Sequence, residues 1–125
     1  MNNLTQEQVS ELSDHNLTKN IVLLLGLTLH HKQYEQDAVV IWGDEFDNGD
    51  IDTYLVDYCN NWNDLMPLVV EHALKIQTFK RRNKFLVRVI LNDNTDSFTA
   101  GAKTLQRALA ECLFLVLQEK ANNGN

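Results

Sequence analysis

The chain reads as a small α+β domain, a mainly antiparallel β-sheet packed with helices in an α/β/α sandwich-like arrangement. Three observations predict it. The length of 125 residues suits one domain with one core. Apolar residues recur at helical spacing in three places, most extensively at Leu105, Ala108, Leu109, Cys112, Leu113, Val116 and Leu117. Between these stripes lie two β-branched and aromatic runs, Ala38-Val39-Val40-Ile41-Trp42 and Phe85-Leu86-Val87-Arg88-Val89-Ile90-Leu91.

The first element is announced by Leu4-Thr5-Gln6-Glu7-Gln8-Val9, in which Thr5 caps the amide of Gln8, Gln8 reaches back and Leu4 staples onto Val9. This short helix ends near Leu12. Ser13-Asp14 restarts the pattern, and Leu17, Ile21, Leu24 and Leu25 share a face until Gly26 stops the second helix. The run 38–42 is a buried strand, 44–52 its loop, and the Asn48-Gly49 turn returns Tyr54-Leu55-Val56 as a short hairpin partner. Leu65, Leu68, Val69, His72, Ala73 and Ile76 trace a third helix. Pro67 belongs in a first turn, which favours Asn63 or Asp64 over Asn61 as its cap. The run 85–91, which alternates only at Arg88, reads as a strand buried on both faces or nearly so. A dense turn at 92–96 then leads to the longest helix, from Thr104.

Composition narrows the function classes. The chain is 44% hydrophobic and 22% charged, which is globular rather than fibrous or disordered. We expect a single domain over 1–125, ordered over about 4–120, with a polar tail at 121–125 that frays. No apolar run approaches the roughly 18 residues of a membrane span. The N-terminus lacks the basic start and apolar centre of a secretory signal, so a cytoplasmic location is expected. In that setting Cys59 and Cys112 are expected as free thiols, and their spacing matches no zinc motif.

Charge is unevenly distributed. Residues 33–74 hold Glu35, Asp37, Asp44, Glu45, Asp47, Asp50, Asp52, Asp57, Asp64 and Glu71 with no lysine or arginine, a formal charge of -10. Residues 75–107 hold Lys75, Lys80, Arg81, Arg82, Lys84, Arg88, Lys103 and Arg107 against Asp93 and Asp96, a formal +6. Two such segments either neutralise each other within the fold, join two copies of the chain in a homodimer, or offer a negative face to a basic partner protein. The third arrangement makes Asp44, Glu45, Phe46, Asp47, Asp50, Asp52, Tyr54 and Tyr58 the candidate contact surface, with aromatics beside charge as interface anchors. Trp42 and Trp62 lie near them in sequence. An alternative is nucleic-acid binding through Lys80, Arg81, Arg82 and Lys84, with Arg88 and Arg107 nearby. The pI near 5.0 and the lack of stacking aromatics within that run leave its footprint incomplete.

Catalytic and metal motifs are absent from the sequence. Residues 44–52 fail as a calcium loop, because placing Gly49 at its sixth position puts Phe46 and Leu55 where oxygen ligands belong. His30 and His31 are adjacent and point apart on regular backbone. There is no Gly-rich phosphate loop and no nucleophile elbow. Cys59 with His72, oriented by Asp57, would form a thiolate-imidazole pair, though no flanking signature accompanies it and an inert thiol is the simpler reading. No cofactor or metal is expected.

One resemblance emerges from three clusters: Leu12-Ser13-Asp14 with Leu17 and Gly26; Asp57-Tyr58-Cys59-Asn60-Asn61 leading to Asp64 and Pro67; and Ala100, Ala102, Thr104, Arg107-Ala108-Leu109 and Cys112. Here the chain resembles the phage ABA sandwich domain, a family of small bacteriophage and prophage proteins of unknown function. The resemblance implies a sheet sandwiched with helices and expression inside a bacterial host, and it brings no catalytic residues. The acidic stretch 35–52 is longer than the family pattern suggests. The leading expectation is therefore a non-enzymatic accessory protein that binds a host or phage protein through its acidic surface.

Overall fold

A computed structural model describes residues 3–27, 29, 39–45, 49, 51–72, 75–90 and 97–122. Along the chain these form α1 (Gln6–Glu11), α2 (Asp14–Leu24), β1 (Val39–Glu45), β2 (Ile51–Val56), α3 (Trp62–Glu71), β3 (Lys75–Arg81), β4 (Lys84–Ile90), β5 (Ser97–Ala102) and α4 (Leu105–Asn122).

The first corner is built by its local signals. Thr5 Oγ1 accepts from the Gln8 amide at 3.2 Å while Gln8 Oε1 accepts from the Thr5 amide at 2.9 Å, a complete capping box. Ser13 Oγ caps α2 by accepting from Asn16 N at 3.1 Å. At the other end of α2, Gly26 takes φ +77°, Gly26 N donates to Leu23 O and Leu27 N donates to Val22 O, each at 3.1 Å. That double closure is a Schellman motif, and its left-handed residue is where glycine is needed.

β1 and β2 form the expected antiparallel hairpin, with Val39 opposite Val56 and Trp42 opposite Thr53. The pairing runs further than expected. A register shift between Trp42 and Glu45 carries the ladder on to Glu45 opposite Ile51, so the backbone at Asp44, Glu45 and Asp52 belongs to strands rather than to a loop.

α3 is capped by Asn61, whose side chain accepts from Asn63 N at 3.0 Å. The expected caps are otherwise engaged: Asp64 Oδ2 accepts from the Asp57 amide at 2.9 Å, and Asn63 is the residue being capped. Pro67 thus lies in the second turn, and α3 closes at His72 rather than continuing through Ile76.

Two strands lie where none was expected. β3 takes up Ile76 and β5 fills the approach to α4, giving a three-stranded antiparallel sheet in the order β3-β4-β5. Arg82, at φ +45°, turns β3 into β4. On β4 only Val87 and Val89 are fully buried, with Arg88 exposed between them, so the strand is covered on one face and not on both.

The core is organised around α4, which is buried continuously from Ala108 to Leu117. A helix covered all round passes between layers rather than lying on one. β4 and β5 pack on one side, α2 on another, and α1 and α3 make smaller contacts. The hairpin β1-β2 reaches this core through α2. Among the described residues, no helix is long and apolar enough to cross a membrane.

Candidate functional site

An interior cluster and an exterior face compete as functional sites. The interior one centres on Arg107, in the first turn of α4. Its Nε donates to Glu111 Oε2 at 2.8 Å, and Nη1 donates to Asp14 Oδ1 at 2.7 Å with Cys59 Sγ at 4.0 Å. Nη2 donates to the carbonyls of Val9 at 3.1 Å and Leu12 at 2.6 Å. Every N–H of the guanidinium is thereby engaged. Burial works against its charge, but the hydrogen bonds to Glu111 and Asp14 outweigh it and hold the Arg107 pKa above its ordinary value. Burial raises the pKa of Glu111, and Arg107 opposes that rise. The arrangement ties the C-terminal carbonyls of α1 and the start of α2 to α4. Beside it, Asp57 Oδ1 accepts from the amides of Cys59 and Asn60, both at 3.1 Å, and Asn60 Nδ2 donates to Asp14 at 3.2 Å. With no donor left over, Arg107 is a strut rather than an anion receptor.

The thiolate-imidazole pair is not assembled. Cys59 precedes α3 and His72 caps its far end, and ten helical residues at about 1.5 Å each put them roughly 15 Å apart. Burial, then the Asp14 carboxylate, push the Cys59 thiol up to about 12, the reverse of activation. His72 Nδ1 instead lies 2.9 Å from Lys120 Nζ. Among the described residues no group of three or more His, Cys, Asp or Glu is placed to hold a metal ion.

Of the acidic candidate surface, Phe46, Asp47 and Asp50 lie outside the described residues, while Asp44, Glu45 and Asp52 lie on the paired strands of the hairpin. Tyr54 is 46% exposed. Tyr58 is not a surface residue: it is 4% exposed, and burial, then Asp64, raise its hydroxyl to about 12. The turn begun by Asp57 directs it inward, where Gln106 Nε2 donates to its carbonyl at 3.0 Å.

The basic segment is placed differently. Lys80, Arg81, Arg82 and Lys84 are all exposed, at and beside the β3-β4 turn. Cross-strand partners share a face. Val87 and Val89, opposite Ala100 and Phe98, turn toward α4, and Cys112 Sγ of α4 meets Val87 O at 3.4 Å. The intervening positions therefore turn away from α4. They form four rows: Arg81 with Lys84; Phe79 with Leu86 and Gly101; Gln77 with Arg88 and Thr99; and Lys75 with Ile90 and Ser97. Leu86 lies over Gly101 so closely that a Cβ there would sit 2.7 Å from Leu86 Cδ2. Phe79 is 51% exposed at the edge strand, and Lys80 Nζ lies 5.6 Å from the ring centroid of Phe85. Residues 75–90 and 97–104 contain Lys75, Lys80, Arg81, Arg82, Lys84, Arg88 and Lys103 and no carboxylate.

No protein-family model and no curated protein matches the chain.

Arg107 takes its carboxylates from Asp14 and Glu111, both outside 33–74, and Asp57 and Asp64 accept from nearby amides. Phe79 is the exposed side chain whose placement the sequence concealed. It looks isolated until β3 pairs with β4 and sets it across from Leu86.

Proposed function

We propose that the protein is a non-enzymatic nucleic-acid-binding protein that uses the open face of its three-stranded sheet. What supports this reading is the coincidence on that face of exposed cations and an exposed aromatic ring, on strands that carry no carboxylate among the described residues. Lysine and arginine on such a face draw phosphates by releasing their counterions. An exposed phenylalanine offers a ring to a base. Charges on an edge strand also deter sheet-to-sheet pairing, but that protection gives no reason for Phe79 to stand half exposed among them. The overall net charge of -6 is compatible with binding, because attraction is set by the local face and falls off over about 8–10 Å in ordinary salt.

The deciding experiment is retention of labelled DNA and RNA as salt is raised. Joint reversal of Lys80, Arg81, Arg82 and Lys84 to glutamate should abolish binding, and log affinity for the unchanged protein should fall linearly with log salt. A protein that holds neither nucleic acid at low salt does not have this function.

A second reading, capture of a basic host or phage protein by the acidic hairpin, is supported by the exposure of Tyr54 and of Leu55, 68% exposed, on β2. Reversing Asp44, Asp47, Asp50 and Asp52 to lysine would remove such capture from a bacterial lysate. The phage or prophage setting is likewise our proposal. In its favour, Asp14, Asp57, Cys59, Asn60, Asp64 and Arg107, which carry the resemblance, meet in one hydrogen-bonded cluster, so the shared pattern is a coherent packing unit.

A further inference from the structure

We infer that the ligand of the sheet face is single-stranded nucleic acid, with an unpaired base stacked on Phe79 and its backbone held by the flanking cations. This inference rests on the nucleic-acid reading above and specifies its substrate class. The face is laid out in rows that suit such a ligand. Phe79, Leu86 and Gly101 make an apolar row across three strands, spanning about 10 Å at the usual strand spacing. On one side of it stand Arg81 and Lys84, and on the other Gln77, Arg88 and Thr99. A base lying on Phe79 would place its sugar-phosphate linkage toward the first row and its hydrogen-bonding edge toward the second. Gly101 keeps the row low: with no side chain of its own, it leaves Leu86 flat across the sheet.

Charge complementarity commits the face to a polyanion, since the strands of this sheet carry no carboxylate to repel one. The apolar row commits it to unpaired bases. In a duplex the base faces are already stacked, and an exposed phenyl ring gains nothing by approaching the backbone. Stacking on an aromatic side chain is available to every base, so the predicted ligand is defined by strandedness more than by sequence. β3 is also an edge strand of the sheet, so Phe79 is approachable from the side as well as from above.

The test is fluorescence anisotropy on the full chain with four probes: a fifteen-nucleotide oligo-dT, the matching oligo-U, and a DNA and an RNA hairpin duplex of the same charge. The expected result is tighter binding of both single strands than of either duplex, with the DNA and RNA arms showing which sugar is preferred. Phe79→Ala should weaken single-strand binding about tenfold with the salt slope unchanged, and Phe79→Trp should restore it. Phe79 is exposed, so these variants keep the core intact. Equal affinity for strand and duplex, with no effect of Phe79→Ala, overturns the stacking inference while leaving nucleic-acid binding in place. Loss of a dimer on Phe79→Ala without any change in oligonucleotide affinity overturns it too, by assigning the row to a second copy of the chain. Absence of binding to all four probes removes both readings.

Discussion

Arg107 Nη2 lies 2.6 Å from the backbone carbonyl of Leu12, so one side chain of the last helix closes the open end of the first. The same guanidinium meets Glu111, whose side chain is 2% exposed. Removing Arg107 would strand a buried carboxylate and take its donor from the Leu12 carbonyl, while Val9 O keeps the Leu12 amide. Arg107→Ala should therefore destabilise the fold by about 3 kcal/mol or more, whereas Asp14→Ala, at the half-exposed end of the network, should cost about 1 kcal/mol or less. Urea unfolding of the two variants measures the difference.

Cys59 should behave as an inert thiol. Thr18 Oγ1 and the Asp14 carbonyl lie around its sulfur at 3.9 and 3.7 Å, and burial keeps it protonated through the physiological range. Native protein at pH 8 should react with a thiol reagent only as fast as it opens, and denaturant should accelerate the reaction by orders of magnitude. Rapid labelling of Cys59 in the folded state, rising with a midpoint below pH 8, would contradict the burial described.

These features were legible in the sequence to very different degrees. The Thr5 capping box, the Ser13 cap and the Gly26 stop were readable because each signal spans only a few residues and its chemistry is local. The α4 stripe and the β4 run were readable from periodicity. β3 was not, because an edge strand exposed along nearly its whole length carries no apolar alternation, and Ile76 fitted the preceding helical pattern equally well. β5 was hidden by its small residues, Ala100, Gly101 and Ala102, which pack closely without a hydrophobic signature. The candidate face depends on those two strands, so the basic run was visible while its aromatic row was not. Arg107 was concealed for another reason: its partner Asp14 stands 93 residues earlier, and nothing local announces the pairing.

His72 should make stability depend on mildly acidic pH. Burial, then the Lys120 ammonium, lower its pKa below the ordinary 6.5, with Glu71 opposing. The unfolded chain therefore binds a proton more readily than the folded one. The stabilisation is complete above pH 6.5 and is lost as pH falls from there through the lowered folded value. Glu111 acts in the opposite sense, since its folded pKa is raised, so the comparison must isolate His72. The urea midpoint of the wild type should drop between pH 7.5 and 5.5, and His72→Gln should drop less. Identical pH profiles for the two proteins would mean that His72, in its partly buried place beside Lys120, carries no proton linkage.

Arg82 holds a left-handed φ of +45° at the β3-β4 turn, a conformation that costs a residue with a Cβ about 1 kcal/mol relative to glycine. Arg82→Gly relieves that strain but makes the unfolded chain more flexible, so the net stability change should be small, within about 1 kcal/mol. Binding should change more clearly. The substitution deletes one exposed cation from the turn while leaving Phe79 in place, so the salt slope for oligo-dT should fall by about one ion and the preference for single strands should persist. A thermal melt and a salt titration on the same variant separate the two effects. A slope unchanged by Arg82→Gly would mean that the Arg82 side chain points away from the phosphates, and the backbone contacts would then have to come from the Arg81 and Lys84 row.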